Sequence, residues 1–201
     1  LLYLRSAQSR ERLRALMKKP DSLPAGLTLL SAVSFTMAGL LVTLVAWYLL
    51  QSLGLPAEPP PAPLPAGFRE TALAALCMAL VPAVCEELLF RGVMLGALMK
   101  RMKPGAAALA SAAVFAALHQ SLLAFPVLLV IGLTLARLRI SRGGLVLPMM
   151  FHGMYNFSVL LLNASGASPG FGLMLLCAAL FALTARLLLK EERDGTAGFG
   201  L

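Results

Sequence analysis

The chain has 201 residues, of which 59% are hydrophobic and 13% charged, with a formal net charge of +8 and a mean hydropathy of +0.85. That balance excludes an ordinary water-soluble domain, which would carry more charge and fewer apolar residues. The basic residues flank long apolar blocks and do not form a patch interleaved with aromatics, which argues against a nucleic-acid partner.

In chain order, six apolar blocks read as membrane spans: residues 27–50, 71–99, 106–120, 122–138, 144–162 and 170–189. The first is too long for a signal-peptide core and is expected to be retained. Between the first two, "GLPAEPPPAPLPAGF" (residues 54–68) is too rich in proline for a helix and reads as an extended linker outside the bilayer. The third block is short and turns tightly into the fourth, so the two are expected to pair closely without a full crossing. No internal repeat is visible. The fold class expected is therefore all-α, a polytopic transmembrane helix bundle of about six spans. Its parts are a basic N-terminal segment (1–24), a membrane domain (25–190, with its motifs in 70–162) and a tail (191–201).

The basic residues orient the bundle. Arg5, Arg10, Arg12, Arg14, Lys18 and Lys19 precede the first span, and Lys100, Arg101 and Lys103 follow the second. Arg137, Arg139 and Arg142 follow the fourth, and Arg186, Lys190 and Arg193 end the sixth. With six spans all of these fall on one side, leaving Arg69 on the other. The positive-inside rule makes the shared side, with both termini, cytoplasmic. The small size points to a prokaryotic plasma membrane.

Ionisable groups inside a bilayer cost about 2.5–3.5 kcal/mol each on insertion scales, so they persist where they pair or work. Of nine acids, Glu86 and Glu87 lie deep in a span, and both histidines, His119 and His152, lie within apolar blocks. Glu87 and Arg91 are i,i+4 and can pair, whereas Glu86 points about 100° away. His152 and Asn156 share a face, as do Phe115 and His119. Glu86, His119 and Asn156 lie at similar depth, ~18–21 Å from the basic edge at 1.5 Å per residue, with His152 one turn shallower. Pro82 and Pro148, each four residues before a polar group, are expected to kink their helices. Residues 92–96, "GVMLG", offer a small face for close packing. Cys77, Cys85 and Cys177 show no metal-ligand spacing and read as small buried hydrophobes. Met149, Met150 and Met154 read as packing residues.

Three motifs then stand in order on successive apolar helices: "EELLFR" (86–91), "FAALH" (115–119) and "HGMYN" (152–156). They resemble the EExxxR, FxxxH and HxxxN pattern of the CPBP family, the CAAX prenyl endopeptidases and bacteriocin-processing or self-immunity (Abi) proteins. The resemblance covers roughly residues 70–162 and implies an all-helical intramembrane endopeptidase. It implies Glu86 as the base that activates water, His119 as its partner on that water, and His152 with Asn156 as donors to the oxyanion. Glu87 and Arg91 are implied as supporting residues. Such donors act strongly where bulk water is excluded, and a carboxylate there can accept a proton from water. The resemblance allows a divalent metal, zinc on Glu86, His119 and His152, and equally a metal-free glutamate mechanism, which the single strong nitrogen ligand per helix favours. The implied partners are the lipid bilayer and a membrane-associated peptide or protein substrate. The competing readings are a proton-coupled transporter and a non-catalytic immunity protein.

Overall fold

The computed structural model describes residue 11, residues 14–55 and residues 67–190. Most of the proline-rich linker (56–66) and the tail (191–201) lie outside the described residues. Among the described residues there is no strand, and six long helical segments form the bundle. They are α1 (Ser22–Ser52), α2 (68–99), α3 (Pro104–Leu118), α4 (Phe125–Arg142), α5 (Val146–Ser165) and α6 (Phe171–Lys190). The six expected blocks thus each correspond to one helix, with ends shifted by a few residues.

Three of these helices are long and apolar enough to cross a membrane on length and composition: Ser22–Ser52, Arg69–Met99 and Phe171–Leu188. Pro104–Leu118 is apolar but shorter. α4 and α5 are long but are diluted by polar groups, the arginines at the end of α4 and His152, Asn156 and Asn163 along α5. Many large apolar side chains point outward, among them Leu76, Met78, Leu89, Val93 and Leu176. Water would not tolerate such a surface, and lipid does. The molecule is an all-α membrane helix bundle.

The same physics corrects one expectation. Cys77 and Cys85 are exposed and Cys177 is half-buried. In a lipid-embedded chain an apolar residue gains nothing from the interior that the bilayer does not also give it, so apolar character does not predict burial. Inside, polar groups must still be satisfied. Thr28, Ser34 and Thr36 of α1 each donate a hydroxyl hydrogen bond to the carbonyl four residues back, at 2.7, 2.8 and 3.1 Å.

The core is aromatic and branched: Phe35 of α1, Phe90 of α2, Phe115 of α3, Ile131 and Leu135 of α4, and Phe151 of α5. Met150 and Met154 pack against it as expected. α1 lies along α5 and α6, and α3 and α4 form an antiparallel hairpin. That hairpin is tight because Gly132 lacks a side chain. A Cβ there would sit 2.9 Å from the Ala112 Cβ, closer than packed carbons allow. The "GVMLG" face does less than expected. A Cβ at Gly92 would touch Leu145 at 3.4 Å, but Gly96 has nothing within 4 Å.

α2 is not a uniform helix. Its α-helical stretches Phe68–Ala74, Val81–Glu87 and Leu95–Met99 are separated by π-helical turns at Ala75–Leu80 and Leu88–Met94. The Val81 and Leu95 amides bond five residues back, to Leu76 and Phe90. Pro82 accounts for the first wide turn. Its ring would clash with the Met78 carbonyl in a regular α-helix, and widening the preceding turn relieves the clash. Pro148 behaves differently from the expectation. It lies in the first turn of α5, where its N–H would have had no intrahelical partner, so it has no reason to kink the helix.

Candidate active site

The two wide turns of α2 bracket Glu86 and Glu87. Glu87 and Arg91, the expected pair, are both fully buried, with the Arg91 Nη1 donating to Glu87 Oε1 at 2.7 Å. Arg91 also donates through Nη2 to the Gly132 carbonyl of α4 at 3.1 Å. Its guanidinium carbon lies 4.6 Å from the centroid of the Phe115 ring, a cation–π contact in a desolvated place. The arginine therefore ties α2 to both α3 and α4.

Glu87 has a second partner, on α5 and 65 positions away. His152 Nδ1 donates to the same Oε1 at 2.9 Å. A carboxylate that also accepts from Arg91 has no proton to offer, so Nδ1 carries the hydrogen and Nε2 is the nitrogen left for chemistry. His152 Nε2 lies 3.8 Å from Glu86 Oε2, too far for a hydrogen bond. That oxygen is buried and has no hydrogen-bond partner. Glu86 as a whole is about one-third exposed, at 32%. Glu86 and Glu87, adjacent in sequence, thus lie on opposite sides of one imidazole, and Glu87 alone is bonded to it.

His119 closes α3, and its Nδ1 lies 2.8 Å from the Phe115 carbonyl. A carbonyl only accepts, so Nδ1–H is the donor and a neutral ring presents Nε2 as an acceptor. The next residue, Gln120, has φ +53°, a left-handed conformation that non-glycine residues rarely hold. It turns the chain sharply towards α4, and the Ser121 hydroxyl accepts the Ala124 N–H at 3.1 Å within the same turn.

Glu86, His119, His152 and Asn156 all line one cavity of about 470 Å³. The structure therefore brings together the four residues singled out as candidates, and it puts Glu87 and Arg91 behind them. It adds two residues that sequence reasoning passed over, Tyr155 and Asn163. Both belong to a stripe on α5 that includes His152, Tyr155, Asn156, Val159, Leu160 and Asn163. These are spaced i, i+3, i+4, i+7, i+8 and i+11, the repeat of one helix face. Carrying the "HGMYN" spacing two further turns would have found Asn163.

The metal allowed by the resemblance does not fit these residues. Nε2 of His152 and of His119 are the nitrogens left to ligate, since each Nδ1 bonds an oxygen, but among the described residues no three His, Cys, Asp or Glu side chains group so as to hold a metal ion.

Residues 68–158 match the family model described as type II CAAX prenyl endopeptidase Rce1-like. No curated protein matches and no solved structure matches. The matched segment begins with α2, ends in α5 and contains all three motifs, so residues 68–158 are similar to a CAAX prenyl endopeptidase (Rce1-like) domain, a peptidase family.

Proposed function

We propose that this protein is an intramembrane endopeptidase that hydrolyses peptide bonds of a membrane-associated peptide or protein with a water activated by Glu86 and His119. The observation that carries this reading is the cavity shared by Glu86, His119, His152 and Asn156. Glu86 Oε2 is the unpartnered carboxylate oxygen there, and it takes a proton from the water. His119 Nε2, left as an acceptor by the Nδ1 bond to Phe115, takes the other hydrogen bond and aims the water's lone pair at the scissile carbonyl.

The Asn156 amide and His152 Nε2–H stabilise the oxyanion of the tetrahedral intermediate. Because Nδ1 already gives its hydrogen to Glu87, donation from Nε2 requires the doubly protonated ring. Glu87, held by Arg91, supplies the negative charge against that ring, since Glu86 is neutral once it has taken the water's proton. Glu86 then passes its proton to the leaving amine, which closes the cycle without a further acid.

The test is Glu86→Gln in proteoliposomes with a labelled peptide library. The variant keeps the side-chain shape and is expected to insert and fold but not to cleave. A folded Glu86→Gln protein that cleaves at the wild-type rate would overturn the mechanism and favour a proton-relay transporter.

A further inference from the structure

The basic residues gather at one end of the bundle. The Arg142 Nη2 donates to the Leu188 carbonyl, which joins the end of α4 to the end of α6. The Leu145 N–H donates to the Leu16 carbonyl at 2.8 Å, which joins the segment bearing Lys18 and Lys19 to the α4–α5 turn. Leu95 packs with Ala107, Ala108 and Ala136. That contact sets the α2–α3 turn, with Lys100, Arg101 and Lys103, beside the second half of α4. Arg69, at the start of α2, lies at the opposite end.

The cavity keeps away from the basic end. Its lining on α2 runs from Cys77 to Glu86, in the part of the helix nearer Arg69. On α3 it is Phe115 and His119, at the last turn, and on α4 Leu128 and Ile131, in the first two turns. On α5 it runs from His152 to Asn163, away from the α4–α5 turn. The floor is closed, with His152 3% and Phe115 and Ile131 each 1% exposed, whereas Cys77, Met78 and His119 are exposed. The mouth is therefore at the end remote from the basic turns.

The wall is low at that mouth. α3 has 15 residues, about 22 Å, against about 46 Å for the 31 residues of α1. A span needs about 30 Å, so the α3–α4 turn sits below the remote face of the bilayer and leaves a notch open to that leaflet. Among the residues lining the cavity, Glu86 is the only one with a formal charge apart from the histidines. Tyr155, Asn156 and Asn163 offer hydrogen bonds suited to a peptide backbone, and Met78, Leu128 and Leu160 offer apolar contacts.

Basic turns face the cytoplasm. We infer that the cavity is entered from the non-cytoplasmic side, and that its substrate is an extended, uncharged peptide segment of a membrane-anchored or exported protein lying in the non-cytoplasmic leaflet. The substrate half of this statement rests on the peptidase reading, and the side of entry does not.

Cys77 is a native probe of the mouth. In a protein with Cys85→Ala and Cys177→Ala, a membrane-impermeant cationic methanethiosulfonate should modify Cys77 in right-side-out vesicles. A marker at Met102→Cys, with all three native cysteines removed, should react only in inverted vesicles. Modified Cys77 should block cleavage of library peptides added outside. Modification of Cys77 only in inverted vesicles, reaction of Cys77 and the marker from the same side, or no reaction of Cys77 from either side of folded protein would each overturn the side of entry. Outside modification in a protein that cleaves no peptide would leave the side of entry standing and remove the peptidase reading.

Discussion

Replacing Arg91 by alanine is the sharpest test of how the carboxylates are held. Arg91 and Glu87 are both fully buried, and the arginine gives one hydrogen bond to Glu87 at 2.7 Å and one to the Gly132 carbonyl at 3.1 Å. Without it, Glu87 keeps His152 as its remaining partner, Gly132 loses its donor and Phe115 loses the cation on its face. Removing one member of a buried pair costs about 3–5 kcal/mol, most of it from the charge left behind. In a chain of this length each kcal/mol shifts the melting temperature by about 2–4 °C, so the loss should be about 6–20 °C. Glu87→Gln removes a charge but keeps an acceptor for both Arg91 and His152, and it should cost less. Combining Glu87→Gln with Arg91→Ala should recover part of the stability lost in Arg91→Ala alone, because no unpaired carboxylate remains. Thermal unfolding of purified protein in detergent measures all three. A melting temperature within 2 °C of wild type for Arg91→Ala, or a double variant whose losses simply add, would refute the reasoning.

His119→Ala should abolish cleavage as fully as Glu86→Gln, because the water loses its second anchor, and this is read from initial rates in proteoliposomes. Asn156→Ala should leave a residue of turnover, about 10²–10³-fold reduced, the usual worth of one oxyanion donor. Chelator should leave the wild-type rate unchanged, since the residues of the cavity do not group as metal ligands; silencing by chelator with rescue by zinc would contradict that. Gly132→Ala should destabilise the α3–α4 hairpin by about 1–3 kcal/mol through overpacking against Ala112, seen as a lower melting temperature.

Much of the site was legible in the sequence because helix geometry is periodic. The Glu87–Arg91 pair and the shared face of His152 and Asn156 follow from i,i+4 spacing alone, and a charge inside an apolar block marks itself. What could not be read is of two kinds. Contacts between distant segments leave no local trace, and the bond from His152 to Glu87 crosses 65 positions. It changes the account of His152 by fixing which nitrogen faces the cavity. The close approach of Ala112 and Gly132 is hidden in the same way. The second kind concerns hydropathy, which cannot separate a residue facing lipid or a cavity from one facing the core, and Cys77 and Cys85 are exposed despite their place in apolar blocks. The position of Pro148 shows a smaller gap. Its effect depends on where α5 begins, and helix ends are the part of the pattern that is least sharply written.

The wide turns of α2 carry a consequence for how its length can vary. A π-helical turn accommodates one residue more than the α-helical path requires, and the stretches on either side keep their facing. Removing a single residue from Ala75–Leu80 or Leu88–Met94 would therefore leave an unbroken α-helix with Glu86 and Glu87 still turned to α5. A deletion of Leu88, Leu89 or Phe90 would bring Arg91 from i+4 to i+3 of Glu87, still on the same face. Removing one from Val81–Glu87 has no such slack and would swing one part of the helix by about 100° against the other. Length changes in this helix are thus absorbed in the two wide turns and forbidden in the stretch between those turns.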